Sequence, residues 1–199
     1  MNNNEIREKY SSERLYLRRM TIEDSALIVG WRNQEWVRKN YLYREDFTLE
    51  GQQRYYQNKI ETGETIQFIV CEKETGRPVG CTVLNGFDYE NGSAEYGMFL
   101  GEADAAGQGY SPEMVRLTLD YAFGELGMKR VYCRIFTDNL PSIRGCERGG
   151  FRIARTIPEA ECSDGTRKDM YLLEAFSSRG EKFLSAEMRY EHIDRSALT

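Results

Sequence analysis

The stretch Ala106-Gly107-Gln108-Gly109-Tyr110-Ser111-Pro112-Glu113 carries the residue types and spacing with the most chemical content. Its glycines let the backbone curl tightly, so that successive N–H groups point at one anion. Ser111-Pro112-Glu113 then reads as a helix start, with a hydroxyl cap, a proline at the first helical position and an acid in the first turn. The unpaired N–H groups and positive dipole end of that helix add to the same site. In physical terms this is a pyrophosphate cradle, although the same pattern also serves plain tight turns. It is not a dinucleotide fingerprint, because the place of the third glycine, counted from Gly107, falls on Pro112. No Gly-Lys-Ser/Thr follows, so it is not a P-loop either.

Other chemistries find little support. The single histidine, His192, lies seven residues from the end, so neither a histidine-based triad nor a histidine metal site is expected. The cysteines, at 71, 81, 133, 146 and 162, are odd in number and show no C-x-x-C spacing. Cys71, Cys81 and Cys133 fall inside apolar strand-like runs, as small buried hydrophobes of a reducing compartment do.

The elements that must position the loop are legible from periodicity. Residues 1–12 are polar and read as a frayed lead-in, and residues 15–20 as a first strand. Thr21 and Asp24 have capping-box spacing before a helix that carries Leu27, Ile28 and Trp31 on its apolar face. A short helix is expected at 36–39. Thr48 is placed to cap a second long helix, with Leu49, Tyr56 and Ile60 on one side. From Thr65 the pattern becomes short, apolar and β-branched, with turns at 74–78 and at Asn91-Gly92, so 65–100 reads as a three-stranded antiparallel meander. After the loop, Val115, Leu119, Ala122, Phe123 and Leu126 recur at helical spacing, and Gly127 closes the helix. A strand over 130–137 leads to Asn139, which caps a short helix ended by Gly149-Gly150. The last two strands, 151–156 and 170–173, are joined by a polar stretch over 157–169. The tail, 177–199, is locally neutral, and Leu184 and Met188 are spaced for one short amphipathic helix.

Strand, G-x-G-Y loop, long helix, strand, then Asn139-Leu140-Pro141-Ser142-Ile143-Arg144 and Gly149-Gly150-Phe151: with both stretches in hand, the chain resembles the GCN-related N-acetyltransferase (GNAT) superfamily. Trp31-Arg32-Asn33 is similar to its RimJ/RimL-like branch. The resemblance covers roughly 13–176 and implies a single α/β domain. That domain is a mixed, mostly antiparallel seven-stranded sheet, splayed in the middle, with helices on both faces. It also implies acetyl-CoA as cosubstrate, no metal, and transfer of acetyl to a primary amine by direct attack in a ternary complex. The acceptor is a small molecule or peptide: a protein N-terminus, an amino sugar or a polyamine. The alternative is a non-catalytic CoA-binding or regulatory module of the same fold.

Carried over by position, the family's phosphate loop falls on Gly107, Gln108, Gly109, Tyr110 and Ser111, with Ala106 and Ser111 departing from the usual residues. Glu95 stands where histone-type members hold their general base. The need is chemical: an amine with a pKa of roughly 8 to 10 must lose a proton before it attacks a thioester. Backbone N–H groups near Met98, Phe99 and Leu100 are implied to meet the oxyanion and the pantetheine arm. Asn139 and Ser142 are implied at the cofactor. Where the family often has a tyrosine to protonate the leaving thiolate, this chain has Cys146, either a weak acid or a space-filler. Trp31, Arg32, Asn33 and Tyr56, with Tyr41, Tyr43 and Tyr55, belong to the segments implied to cover the acceptor.

Composition agrees with one globular domain of 199 residues, with 40% hydrophobic and 30% charged residues. A net charge of −5 speaks against nucleic acid as a partner. No apolar run approaches the ~20 residues of a membrane span. The first residues lack a signal-peptide pattern, so a cytoplasmic location is expected, with a homodimer as the self-assembly to test.

Overall fold

Seven strands form a single sheet in the computed structural model, which describes residues 1–178. They are β1 (Leu15–Arg19), β2 (Ile66–Glu72), β3 (Pro78–Asp88), β4 (Ser93–Leu100), β5 (Arg130–Phe136), β6 (Arg152–Glu161) and β7 (Arg167–Phe176). Their spatial order is β1-β2-β3-β4-β5-β7-β6. Every neighbouring pair is antiparallel except β4 and β5. The mixed, mostly antiparallel sheet expected from the sequence is therefore the observed one.

The parallel pair is where the sheet opens. β4 and β5 register only at Ser93–Arg130, Ala94–Val131 and Glu95–Tyr132. Beyond Glu95, β4 stays on β3 as far as the pair Gly80–Leu100, whereas β5 stays on β7 as far as Phe136–Met170. Each strand follows its outer neighbour, and residues 96–100 of β4 are left without β5 as a partner. That stretch is the wall of a wedge in the middle of the sheet.

Helices cover both faces. Ile6 of α1 (Asn3–Lys9), Met114 and Val115 of α5 (Ser111–Gly124) and Ile143 and Cys146 of α6 (Leu140–Gly149) join one large core with Leu17, Phe68, Ala94 and Tyr96. On the opposite face α2 (Ser25–Arg32) packs Ile28 and Trp31 against Ile69, Cys71 and Cys81. The short α3 (Glu35–Arg38) and α4 (Leu49–Tyr55) follow α2 in the chain. Thr48 caps α4 through the Gly51 N–H, as its position predicts. All five cysteines are buried and free.

Several expectations are corrected. Residues 1–12 are not frayed: Asn2 and Glu5 form a capping box, and Ile6 is fully buried, so that α1 is a working part of the core. The helix from Thr48 changes to a π-turn over Tyr56–Ile60 instead of running on. Ser111 is the first helical residue, the cap position falls on Tyr110, and the helix ends at Gly124 before Gly127 turns at φ +64°. The last strands reach into the polar stretch 157–169 and close it as a hairpin. An antiparallel ribbon with solvent on its faces needs no apolar alternation, so polarity alone hid it. The amphipathic helix expected around Leu184 and Met188 lies outside the described residues.

Candidate active site

The loop before α5 has the geometry its glycines foretold. Gly107 and Gly109 sit at φ +81° and +73°, the left-handed region that side chains rarely adopt. A Cβ at Gly107 would meet nothing within 4 Å, and one at Gly109 only Arg14 Nη2 at 3.8 Å. A side chain there would fill the cradle rather than strike protein. Arg14, just before β1, holds the loop from behind: Nη1 donates to the Gln108 carbonyl at 2.8 Å and Nη2 to that of Gly109 at 3.1 Å. Arg14 also pairs with Glu113 of the first helical turn. Burial pushes the Glu113 carboxyl up, but hydrogen bonds from Ser12 and Arg14 outweigh it and hold it below its ordinary range. Its charge is thus engaged on the Arg14 side. The N–H groups of Gly107, Gly109, Tyr110 and Ser111 bond no carbonyl among the described residues. The Tyr110 phenol turns back to Glu72 at 3.2 Å, leaving only the backbone of Tyr110 to the cradle. A diphosphate fits this donor set.

Ser111 also fixes the start of α5 on α6, since a Cβ at Gly145 would lie 2.7 Å from Ser111 Cβ. Asn139 caps α6, its Oδ1 accepting from the Ser142 N–H at 3.4 Å. These two residues shape the helix end beside β5.

At the apex of the wedge, consecutive residues of β4 serve opposite faces of the sheet. Glu95 is the last residue paired with β5, and Arg134 Nε donates to its Oε1 at 2.8 Å. Its side chain is 24% exposed, so the carboxylate reaches solvent on the face shared by Phe99 and α2. Tyr96, one residue further and just past the last β4–β5 pair, points to the α6 face, where it is 3% exposed. Its ring lies 5.6 Å from that of Phe151. The Tyr96 Oη is buried without any hydrogen-bond partner. Burial, and then the neighbouring thiols of Cys146 and Cys133, push its pKa well above the ordinary value. Cys146 is 1% exposed inside the core and lies beside Cys133, whose thiol burial likewise pushes up. Sequence reasoning passed over Tyr96, yet strand alternation contained the signal: if Glu95 faces one side, Tyr96 must face the other.

Met98, Phe99 and Leu100 lie in the stretch of β4 that pairs with β3 and has no β5 partner, the open wall of the wedge. One of its carbonyls is already used, because Tyr41 Oη donates to Met98 O at 3.2 Å. The three residues of the Trp-Arg-Asn run divide in role. Trp31 is 2% exposed, bonds Glu102 Oε1 through Nε1 at 2.8 Å, and packs so close to Gly101 that a Cβ there would fall 2.0 Å from its ring. Asn33 clamps Phe47, donating to its carbonyl and accepting from its N–H, each at 2.8 Å. Both are thereby committed to holding the fold. Tyr56 packs against the α2-face cluster. Arg32 has no carboxylate partner among the described residues, and its guanidinium is stacked on the Tyr41 ring at 3.4 Å.

The sheet opens between its one parallel pair, and a loop with two positive-φ glycines follows β4 and leads into the start of α5. The sequence family described as the acetyltransferase (GNAT) domain matches residues 14–152, and the chain belongs to it. It is 30% identical over 169 residues to the uncharacterized N-acetyltransferase p20 of Bacillus licheniformis, covering 83% of this chain and 94% of that protein. It is 31% identical over 147 residues to the probable N-acetyltransferase YjcK of Bacillus subtilis, covering 69% and 80%. Among solved structures, spermidine N-acetyltransferase from Vibrio cholerae in complex with CoA and spermine aligns with a TM-score of 0.77 at 19% identity, over 85% of this chain and 99% of that one. A dodecameric form of the Vibrio cholerae enzyme aligns at 0.70. The protein is an N-acetyltransferase, and acetyl-CoA is its cosubstrate. Among the described residues no cluster of three or more His, Cys, Asp or Glu side chains is arranged to hold a metal ion. No helix among them is long and apolar enough to cross a membrane.

Proposed function

We propose that this chain acetylates a primary amine by direct attack within a ternary complex, using the two faces of the wedge for the two proton-handling tasks. The observation that carries the reading is the placement of Glu95 and Tyr96, adjacent in sequence and opposite in direction, where β4 and β5 part. Acetyl-CoA supplies an activated acetyl thioester. The loop N–H groups of Gly107, Gly109, Tyr110 and Ser111 hold its diphosphate, and the unpaired edge at 96–100 receives the arm as an added strand. Glu95 takes the proton that the attacking amine must lose, and Arg134 fixes the carboxylate while leaving it at the surface. As nitrogen bonds to the carbonyl carbon and the carbon–sulfur bond breaks, negative charge gathers on sulfur. The Tyr96 phenol offers it a hydrogen bond. A phenol with so firmly held a proton acts as a donor to that charge, and water delivers the final proton.

The test is thiol release from acetyl-CoA against a panel of amines: a peptide with a free N-terminus, amino sugars and polyamines. Amine-dependent release with mass evidence of the acetylated amine is expected. CoA binding without release for any amine would favour a non-catalytic CoA module instead.

Tyr96 and Cys146 are separated by two variants. Tyr96→Phe removes one oxygen that no protein group uses, so melting temperature should hold or rise. Loss of a hydrogen bond to a developing charge predicts a fall in kcat on the order of 10- to 100-fold. Cys146→Ala, trimming a core thiol, should change kcat by less than about twofold if its role is to fill space. A silent Tyr96→Phe with a crippled Cys146→Ala would reverse the assignment.

A further inference from the structure

Arg32 is a buried cation on the acceptor side of the sheet that no carboxylate among the described residues balances. Its residue is 8% exposed, at the end of α2. The guanidinium carbon lies 3.4 Å from the Tyr41 ring centroid, 4.6 Å from that of Phe47 and 5.9 Å from that of Phe99. Its Nε is buried without a hydrogen-bond partner. Other arginines of this region have carboxylates: Arg18 pairs with Asp24, Arg38 with Asp46, Arg44 with Asp164 and Arg134 with Glu95. None of the described carboxylates pairs with Arg32. Tyr41 does not substitute for one. Burial pushes its phenol up to about 12 despite the adjacent cation, so it stays neutral, and its proton is given to Met98 O.

A buried charge without a counter-charge is costly, and stacking on ring faces recovers only part of that cost. A protein that keeps such a group gains when a ligand brings the missing charge. The stack also touches the right place. Phe99 belongs to the open wall of the wedge, and Tyr41 bonds the Met98 carbonyl beside it. A group held by Arg32 is therefore adjacent to the stretch of β4 where transfer takes place. The planar guanidinium suits a carboxylate or phosphate, which accept two parallel hydrogen bonds.

We propose that the acceptor is an amine that also carries an anionic group, carboxylate or phosphate, and that Arg32 is the residue that binds this group. The proposal rests on the acetyl-transfer reading above and narrows it against polyamines. Spermine, bound in the structurally similar Vibrio cholerae enzyme, has only positive charges to offer, and Arg32 would repel it.

Matched acceptors test this. Leucine is compared with leucinamide, phosphoethanolamine with ethanolamine, and spermidine is run beside them. The anionic member of at least one pair should show kcat/KM higher by about tenfold or more, which corresponds to ~1.4 kcal/mol. Which pair responds tells carboxylate from phosphate. Arg32→Gln should raise KM for the preferred anionic acceptor while leaving its neutral counterpart within about twofold, and Arg32→Lys should restore part of the preference. Because Arg32 is packed among rings, the comparison within the parent protein stands even if Arg32→Gln fails to fold. Calorimetry of the same acceptors in the presence of CoA gives a readout that needs no turnover. Preference for spermidine or for both neutral members, or an anion preference that survives Arg32→Gln, would overturn the proposal. CoA binding with no transfer to any amine would defeat the transferase reading instead, and anion-selective binding in calorimetry would still decide the role of Arg32.

Discussion

Glu95→Gln should lower kcat by ~10²-fold or more, the usual cost of losing a general base, with CoA affinity essentially unchanged. The substitution keeps the size of the side chain and one acceptor oxygen for Arg134, so the apex of the wedge should remain in place. What disappears is the carboxylate proposed to take the amine proton. The loss should be largest near neutral pH and shrink towards about pH 9, where a growing share of the amine is already deprotonated. Steady-state rates between about pH 6 and 9, with CoA affinity measured separately, check it. A variant as fast as the parent throughout that range would reduce Glu95 to a partner of Arg134 and nothing more.

Gly109→Val should weaken CoA binding by at least ~100-fold, equivalent to about 2.7 kcal/mol. Two effects act together. At φ +73° a β-branched residue is strained, so the loop is driven out of its curled form. A side chain that did keep this backbone would occupy the cradle itself, since the nearest protein atom to a Cβ is Arg14 Nη2 at 3.8 Å. Calorimetric titration with CoA, beside a melting curve to show that the rest of the domain survives, makes the test. Gly107→Ala offers a milder comparison, because it too faces open space at positive φ. If Gly109→Val bound CoA as tightly as the parent, the diphosphate would have to lie elsewhere.

Much of this protein could be read from neighbouring residues alone. Thr21 and Asp24, Thr48, Asn139 and the glycines of the 106–111 loop declare caps and turns through contacts only a few residues apart, and the folded chain uses them so. The meander over 65–100 followed from period-two and β-branched runs in the same way. Where the reading failed, the deciding partner lay far along the chain. Residues 1–12 looked too polar to be ordered, yet Ile6 finds its place in the common core and Tyr10 bonds Glu125. Ser12 and Arg14, unremarked in sequence, become the back support of the cradle because β1 runs beside α5.

The family pattern offered candidate positions for the site, and local chemistry explained why a cradle and a base would be needed there. Only the tertiary structure decided how they work together. The wedge exists because β4 follows β3 while β5 follows β7, which no local pattern encodes. The same divergence leaves the Tyr96 phenol without a partner beside Cys146, at the helix position where the sequence showed only a missing tyrosine. In sequence, nothing distinguishes Arg32 from Trp31, Asn33 and Tyr56 as an acceptor-side residue. It was set apart by what surrounds it: three aromatic rings and no carboxylate among the described residues. Turn and cap chemistry is written between adjacent residues, so sequence determines it. Whether a charge or a hydroxyl is satisfied depends on everything that packs against it, and folding alone brings those groups together.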